Sequence, residues 1–268
     1  METANVVVKP LHPFGAEITG IDLSHEVTAD TKAQLVRAFH QHLFLVFHDQ
    51  TLTVEDHLRA TAIFGKVSTQ GEGEASLNVN GVNFISSLKP GGSRGKLNDK
   101  DEVDHYSVGE LRFHSGQSWY EKPLKGVTLY ALELPAPGNG GDTLFADSRL
   151  LYKLLPEKLR RKIPALMIRN ERGSAFADHP LVQAHPDTGE TFLYLDPRNA
   201  PSIPSLSRKE SDELIRELSS YLEEQPEIVY RHVWQLKDLV VWDNLCAPHA
   251  RTYYDPELRR RLRRTQFE

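Results

Sequence analysis

The chain has 268 residues, of which 39% are hydrophobic and 26% are charged, and its formal net charge at pH 7 is −5. This balance is ordinary for a globular protein and excludes a largely disordered chain. The negative charge argues against binding to nucleic-acid polymers, and no apolar run approaches the roughly 20 residues of a membrane-spanning helix. Its one cysteine excludes an internal disulfide, and no secretory signal is visible, so we expect a cytoplasmic protein.

Hydrophobic patterning in the first third of the chain predicts short strands and two helices. The predicted elements are broken strands over residues 5–23, a helix capped by Thr28, a buried strand over residues 43–47, a helix opened by a capping box of Thr53 and Asp56, and a strand over residues 82–88. Residues 89–109 combine glycines with many charges, which predicts a surface loop. Because this loop precedes a candidate metal ligand, we predict a mobile segment that covers an active site; a plain solvated insertion is the alternative.

The remainder of the chain predicts further short strands and three helices. The strands are expected over residues 127–134, 143–146, 192–195, 229–234, 239–242 and 261–267, and the helices over residues 149–155, 157–163 and onward from Ser207. Many short strands with helices in two blocks predict a β-sandwich or barrel that carries helices, as one domain over residues 1–268.

The 12 histidines, with one cysteine, exclude zinc sites built on cysteine pairs and leave imidazole–carboxylate metal sites open. His114 follows Leu-Arg-Phe, and His249 follows a Trp-Asp-Asn segment. Thr143 ends a Gly-Gly-Asp-Thr segment between them. Arg260 and Arg264 are four residues apart, a spacing that places both on one face of a strand, where inward guanidinium groups need anions.

The order and joint presence of these motifs resemble the taurine dioxygenase/TfdA family of Fe(II)- and 2-oxoglutarate-dependent oxygenases over nearly the whole chain. The resemblance implies a mainly β fold with flanking helices, the double-stranded β-helix (jelly-roll, cupin-like). It implies Fe(II), 2-oxoglutarate and O2 as cofactors, with His114 and His249 as iron ligands. It also implies that Thr143 and Arg260 bind the far carboxylate of 2-oxoglutarate, and that Arg264 adjoins it or faces the substrate. The neighbouring Arg251, Arg259, Arg261 and Arg263 are interpreted as solvated residues.

One position departs from the family pattern, which has an aspartate two residues after the first histidine where this chain has Gly116. Glycine cannot ligate a metal, and a small anion such as chloride can restore the missing negative charge. The same change marks the Fe(II)/2-oxoglutarate halogenases. The resemblance therefore implies chlorination of an unactivated aliphatic C–H bond with release of succinate and CO2, and we predict a halide site at Gly116 and Ser115. Bromide is left open.

Three alternatives remain at this point. Gly116 could be an engineered or degenerate change in a hydroxylase of the taurine dioxygenase type, which would leave weak or no activity. A carboxylate of Asp142, Asp243 or Glu110 could replace the missing ligand, although none has ligand spacing. The chain could also be a non-catalytic jelly-roll protein that binds small molecules.

For the substrate, a free, anionic small molecule is the simplest expectation, because no carrier domain or docking patch for a carrier protein is evident. His105, Tyr106, Trp119 and Arg264 are the predicted substrate contacts. Arg198 and Asn199 lie where the family often contacts substrate. A nucleotide would suit an anionic, ring-bearing ligand, since stand-alone nucleotide halogenases exist. A homo-oligomer is left open.

Overall fold

The computed structural model describes residues 5–69, 81–87, 104–200 and 202–268. These residues form five α-helices: α1 (Ala29–His42), α2 (Val54–Thr61), α3 (Ser148–Leu154), α4 (Glu157–Lys162) and α5 (Arg208–Glu224). They also form sixteen strands: β1 (Val7–Pro10), β2 (Ala16–Thr19), β3 (Phe44–Phe47), β4 (Asn83–Ser86), β5 (Asp104–Tyr106), β6 (Leu111–His114), β7 (Gly126–Glu133), β8 (Thr143–Ala146), β9 (Met167–Arg172), β10 (Ala175–Pro180), β11 (Val182–Ala184), β12 (Thr191–Leu193), β13 (Val229–His232), β14 (Leu239–Asp243), β15 (His249–Arg251) and β16 (Arg261–Phe267). In the part of the chain that the structure describes, none of the helices combines the length and the hydrophobicity of a membrane span.

Two β-sheets share one hydrophobic core. The larger has the order β1-β2-β3-β14-β7-β16-β4-β5 and the smaller β13-β8-β15-β6. Most neighbours are antiparallel, whereas β2–β3 and β4–β5 are parallel. The core joins Phe145 of the small sheet to Trp242 of the large one, with ring centroids 5.3 Å apart. This arrangement is the predicted jelly-roll.

The strands at the centre of the large sheet are buried along their whole length, which explains their unbroken apolar sequence. Every residue of β3 and β14 is buried, and β14 pairs with both β3 and β7. A strand covered on both faces needs apolar side chains at every position rather than at alternate ones. These strands carry the turn that leads to His249.

The helices begin where the sequence predicts, because side-chain caps satisfy their first N–H groups. Thr28 caps α1, and Thr53 forms a reciprocal capping box with Asp56 at α2. Ser207 forms the same box with Glu210 at α5, whose buried stripe packs on the core that the two sheets share. The helices α1 and α2 cover a second core on the other face of the large sheet.

The prediction of a continuous loop over residues 89–109 was wrong at its end. Asp104–Tyr106 form β5, which pairs in parallel with β4, while residues 88–103 lie outside the described residues. An edge strand obtains its hydrogen bonds from a neighbour's backbone, so its side chains need not be apolar. The hairpin of β9 and β10 was not predicted either, because only two of the six side chains of each strand are buried.

Replacing Ser207 by alanine should destabilise the fold by about 1 kcal/mol, because the Ser207 hydroxyl at the start of α5, which accepts from the Glu210 N–H and donates to the Glu210 carboxylate, is lost. The measurement is the free energy of unfolding in urea. Ser220→Ala, near the other end of the same helix, is the control and should change stability by less than half as much. Equal losses in both variants would contradict the assigned cap.

Candidate active site

An open cavity lies between the two sheets, at the end of the core where β6, β8, β15 and β16 approach one another. Together with its open mouth it encloses about 870 Å³. Its described lining residues include two histidines and five arginines, and none of them is acidic. The arginines are Arg172, Arg198, Arg251, Arg260 and Arg264. Such a cavity is suited to negatively charged ligands.

Two histidines face each other across a strand pair in this cavity. His114 ends β6, His249 begins β15, and they are direct partners in the antiparallel register. Their ring centroids are 4.3 Å apart, and Trp242 packs 4.7 Å from the His249 ring. Two imidazoles held at this separation by the backbone are in reach of one metal ion.

The protonation of the two rings fits iron binding. His114 Nδ1 lies 2.9 Å from the Arg112 carbonyl, so Nδ1–H donates to it and leaves Nε2 unprotonated for a metal. Burial, together with the charges of His114 and Arg264, holds the pKa of His249 well below its ordinary value. Within the described part of the chain, His249 Nδ1 is also buried without a hydrogen-bond partner. Neutral imidazoles are the form that binds Fe(II), so the pair suits the metal.

Beside these histidines, the backbone at Gly116 is held by the side chain of Asn244. The Gly116 N–H donates to Asn244 Oδ1 at 2.7 Å, and Asn244 Nδ2 donates to the Gly116 carbonyl at 2.8 Å. A Cβ atom at position 116 would lie 3.1 Å from Asn244 Oδ1 and 3.4 Å from Arg264 Nη2. The space that an aspartate side chain would enter is therefore next to a guanidinium group.

The carboxylates considered as replacements for the missing ligand are engaged elsewhere. Asp142 accepts from Arg231 Nε at 2.7 Å. Asp243 accepts from His185 Nε2 at 2.8 Å and from two backbone N–H groups of the following turn. Glu110 is exposed and does not line the cavity. None of these three carboxylates is directed at the histidine pair, so that alternative is not supported.

The Gly-Gly-Asp-Thr segment places Thr143 in the cavity wall. Gly141 has φ +80°, a backbone conformation that favours glycine, and a Cβ there would lie 3.1 Å from Arg260 Cδ, so that side chain would have to shift by a few tenths of an ångström. Trp234 Nε1 donates to Thr143 Oγ1 at 2.9 Å. Because the oxygen accepts from the indole, the hydroxyl hydrogen is left to donate to a ligand. The role of Trp234 had no signal in the sequence beyond its place in a predicted strand.

Arg260 is buried in the same wall without a carboxylate partner among the described residues. Its Nε donates to the Gly141 carbonyl at 3.1 Å. Burial and the nearby Arg251 lower the pKa of the Arg260 guanidinium to about 9. A buried cation of this kind is stabilised by an anion, and the far carboxylate of 2-oxoglutarate has the required charge.

The alternation of the last strand separates its arginines as predicted. Arg260 and Arg264 both line the cavity, with Leu262 between them. Arg263 points to the other face and donates to His57 Nδ1 at 3.1 Å in a buried network.

The interpretation of the neighbouring arginines as solvated was wrong for Arg251 and Arg263, which are 5% and 4% exposed. Arg251 donates to the carbonyls of Gly109 and Ser107. Arg259 fits that interpretation, because it pairs with Glu133 at the surface. Buried arginines are uncommon, and the sequence alone showed no hydrogen-bond partner for Arg251 or Arg263.

Of the predicted site residues, two lie outside the cavity wall and two have side chains that cannot be placed. Ser115 is 2% exposed and does not line the cavity. Trp119 is 3% exposed, and its ring lies 4.8 Å beneath the guanidinium of Arg172 instead of in the cavity wall. The side chains of His105 and Tyr106 are outside the described residues. Arg172, which does line the cavity, was not recognised in the sequence because it belongs to no motif.

A jelly-roll with this histidine pair and this cationic cavity defines an Fe(II)/2-oxoglutarate-dependent oxidoreductase, and comparisons with known proteins agree. The family model described as taurine catabolism dioxygenase TauD, TfdA family, matches residues 8–266. The chain therefore belongs to the TauD/TfdA family.

Individual relatives cover nearly all of the chain. It is 29% identical to (S)-phenoxypropionate/alpha-ketoglutarate-dioxygenase of Sphingobium herbicidovorans, over 90% of this chain and 87% of the relative. It is 28% identical to alpha-ketoglutarate-dependent 2,4-dichlorophenoxyacetate dioxygenase of Cupriavidus pinatubonensis, over 97% and 96%. Among solved structures, AAD-2 in complex with Mn(II) and N-oxalylglycine matches with a TM-score of 0.80 and 27% identity, over 98% and 97% of the two chains.

Replacing Arg260 by glutamine should weaken 2-oxoglutarate binding by roughly thirtyfold or more, because a buried carboxylate would lose its charged partner. The measurement is calorimetric titration of the Mn(II)-loaded protein with 2-oxoglutarate. Arg259→Gln is the matched control, since it removes a neighbouring surface arginine, and it should leave the affinity unchanged. Similar affinities in the two variants would remove Arg260 from the 2-oxoglutarate site.

Proposed function

We propose that this protein is an Fe(II)/2-oxoglutarate-dependent halogenase that places chloride on an aliphatic carbon of a free, anionic small molecule. The observation that carries the proposal is Gly116, which offers no carboxylate to the metal and lies beside the Arg264 guanidinium. The balanced reaction consumes R–H, chloride, a proton, O2 and 2-oxoglutarate, and yields R–Cl, succinate, CO2 and water.

In this proposal, different residues of the chain would bind the metal, the 2-oxoglutarate and the chloride. His114 and His249 would hold Fe(II), which with 2-oxoglutarate and O2 supplies the oxidising power to remove a hydrogen atom from an aliphatic carbon. Thr143 and Arg260 would hold the far carboxylate of 2-oxoglutarate. Arg264, which the resemblance assigned to the co-substrate or the substrate, would also stabilise a chloride ion beside Gly116, since its Nη2 atom would lie 3.4 Å from a Cβ atom at that position.

Binding of chloride at this position is supported by charge and by space. An aspartate at position 116 would bring one negative charge next to Arg264, and chloride brings the same charge without a covalent link to the protein. Asn244 fixes the Gly116 backbone on both its N–H and carbonyl sides, so the strand end does not collapse into that space. Ser115, which is buried away from the cavity, would support the halide site only through its position in the chain.

The second candidate function is oxygenation of the substrate, that is, a hydroxylase or dioxygenase. It is supported by the names of the relatives, since the two curated relatives above are both dioxygenases that use alpha-ketoglutarate. Both candidates use the same histidine pair and the same binding of 2-oxoglutarate, so they differ only in what is transferred to the carbon. The ligand at Gly116 decides between them.

Halide exchange should distinguish the two candidates directly. The Fe(II)-loaded protein is incubated with 2-oxoglutarate, O2 and a panel of anionic substrates, first in chloride and then in bromide. We expect succinate release and a product whose mass changes with the halide, as measured by mass spectrometry. A product that has the same mass in chloride and in bromide and carries oxygen from O2 would establish oxygenation instead. If no succinate were released, the result would support a binding protein without catalysis.

Variants at position 116 should separate the effect of volume from that of charge. In Gly116→Ala the Cβ would need Asn244 to move by a few tenths of an ångström, so we expect halogenation at a reduced rate. Gly116→Asp adds a carboxylate at the same place, and we expect halogenation to be lost in favour of hydroxylation or no turnover. The measurement is the ratio of chlorinated to hydroxylated product. Persistent chlorination in the aspartate variant would contradict the assigned halide site.

A further inference from the structure

A buried carboxylate lies behind the cavity wall, at Asp238, which directly precedes β14 and does not line the cavity. Its Oδ1 accepts from His48 Nδ1 at 2.6 Å, and its Oδ2 accepts from the Gln235 N–H at 2.9 Å. His232 Nε2, at the end of β13, lies 3.2 Å from the same Oδ2. Burial raises the pKa of Asp238, but its contacts with His232, the Gln235 N–H and His48 outweigh burial and hold that pKa below its ordinary value. The side chain is therefore a charged carboxylate inside the protein.

Two partners of this carboxylate lie on either side of Trp234 in the chain, and together they hold the indole. The His232 ring packs edge-on against the Trp234 ring, with centroids 4.5 Å apart and planes at 82°. On the other side, Gln235 donates its N–H to the carboxylate and accepts the Asp238 N–H through its carbonyl at 3.1 Å. Asp238 therefore fixes both the ring beside the indole and the backbone that follows it.

The indole in turn limits what the Thr143 hydroxyl can do. Trp234 Nε1–H donates to Thr143 Oγ1 at 2.9 Å. His232 and Thr143 are direct partners in the pairing of β13 with β8, so the same register that places His232 beside Asp238 also places it beside Thr143. A hydroxyl has one hydrogen, which rotates towards the best acceptor. With the indole occupying one lone pair of Oγ1, that hydrogen is directed at a ligand before the ligand arrives, and such preorganisation increases affinity.

We propose that Asp238, acting through His232 and Trp234, is a positioning residue for 2-oxoglutarate. It keeps the indole N–H on Thr143 Oγ1 and so aims the Thr143 hydroxyl at the far carboxylate of the co-substrate. This inference deepens the proposed function, because it rests on Thr143 and Arg260 holding that carboxylate. Neither Asp238 nor Trp234 lines the cavity, so both act on 2-oxoglutarate only through Thr143.

A double-mutant cycle tests whether Trp234 acts through Thr143. The Mn(II)-loaded protein is titrated with 2-oxoglutarate by calorimetry, in the absence of turnover. Trp234→Phe and Thr143→Val should each weaken binding about fivefold, the size expected for one hydrogen bond. The double variant should bind no more weakly than Thr143→Val alone, because the indole has nothing left to orient. Losses that multiply in the double variant, or no loss in Trp234→Phe, would overturn the proposal.

The indole N–H resonance of Trp234 reports on Asp238 directly. Protein labelled with 15N-tryptophan is loaded with Zn(II), a diamagnetic substitute, and Trp234→Phe assigns the resonance. Asp238→Asn should shift that resonance upfield, speed the exchange of its proton with solvent and weaken 2-oxoglutarate binding about threefold or more. Asp147→Asn, which changes a buried carboxylate paired with Arg149 outside the cavity, is the matched control and should alter neither the resonance nor the affinity. An unchanged Trp234 resonance in Asp238→Asn would contradict the assigned role.

Variants at position 232 repeat the test with the carboxylate intact. His232→Leu should reproduce the weaker binding and the shifted resonance of Asp238→Asn, because it removes the contact between ring and carboxylate. His232→Gln can offer an N–H to Asp238 and should restore part of the affinity. Wild-type affinity in His232→Leu would overturn the proposal, as would equal losses in the leucine and glutamine variants.

These titrations separate the positioning role from the proposed function. If Thr143→Val and Arg260→Gln leave the affinity for 2-oxoglutarate unchanged, the proposed co-substrate site fails and this inference fails with it. If both weaken binding while Trp234→Phe and Asp238→Asn do not, only the positioning role fails. Neither result depends on whether halide exchange shows chlorination or oxygenation.

Discussion

The site depends on one electrostatic constraint, which is that arginine side chains line a cavity whose described walls carry no carboxylate. A guanidinium taken from water into a protein wall is costly unless an anion or several hydrogen bonds replace the lost water. Arg251 obtains backbone carbonyls, and Arg263, on the opposite face of the same sheet, obtains His57 and the Leu52 carbonyl. Among the described residues, the Arg260 guanidinium has little hydrogen bonding beyond the Gly141 carbonyl. A bound anionic ligand would therefore stabilise this buried charge as well as take part in the reaction.

The candidate metal ligand His249 and position 116 are coupled through the turn between β14 and β15. His185 Nδ1 accepts two backbone N–H groups, which leaves its Nε2–H to donate to Asp243. Asp243 in turn accepts from the N–H groups of the turn that leads to His249, and the adjacent Asn244 holds Gly116. The side chains of His185, Asp243 and Cys246 form a cluster whose composition resembles that of a metal site. Because both nitrogens of His185 are already used, the cluster is better explained as the support of the active-site turn.

The sequence predicted much of this site because family motifs mark the residues that the backbone must bring together. His114, His249, Thr143, Arg260 and Arg264 lie around one cavity, as the strand alternation and the motifs required. The arginine–tryptophan pair of Arg172 and Trp119 could not be predicted, since Arg172 lies in a hairpin of mixed polarity whose path over the cavity depends on contacts far apart in the chain. Trp119 was recognised as aromatic and close to the metal site, but only packing could show that its ring supports a cation instead of a substrate.

Membership of the TauD/TfdA family and the identity of the transferred atom are separate questions. The sheets, the histidine pair and the proposed site for 2-oxoglutarate draw on elements from nearly the whole chain and are common to both candidate reactions. Similarity over the whole chain therefore reports mainly on these shared features. The choice between hydroxyl and halide depends on one ligand position, and there a glycine stands beside a buried arginine. A family match made over some 260 residues has little sensitivity to that position. The relatives therefore assign the family and its cofactors, and the proposed halogenation rests on Gly116 beside Arg264 alone.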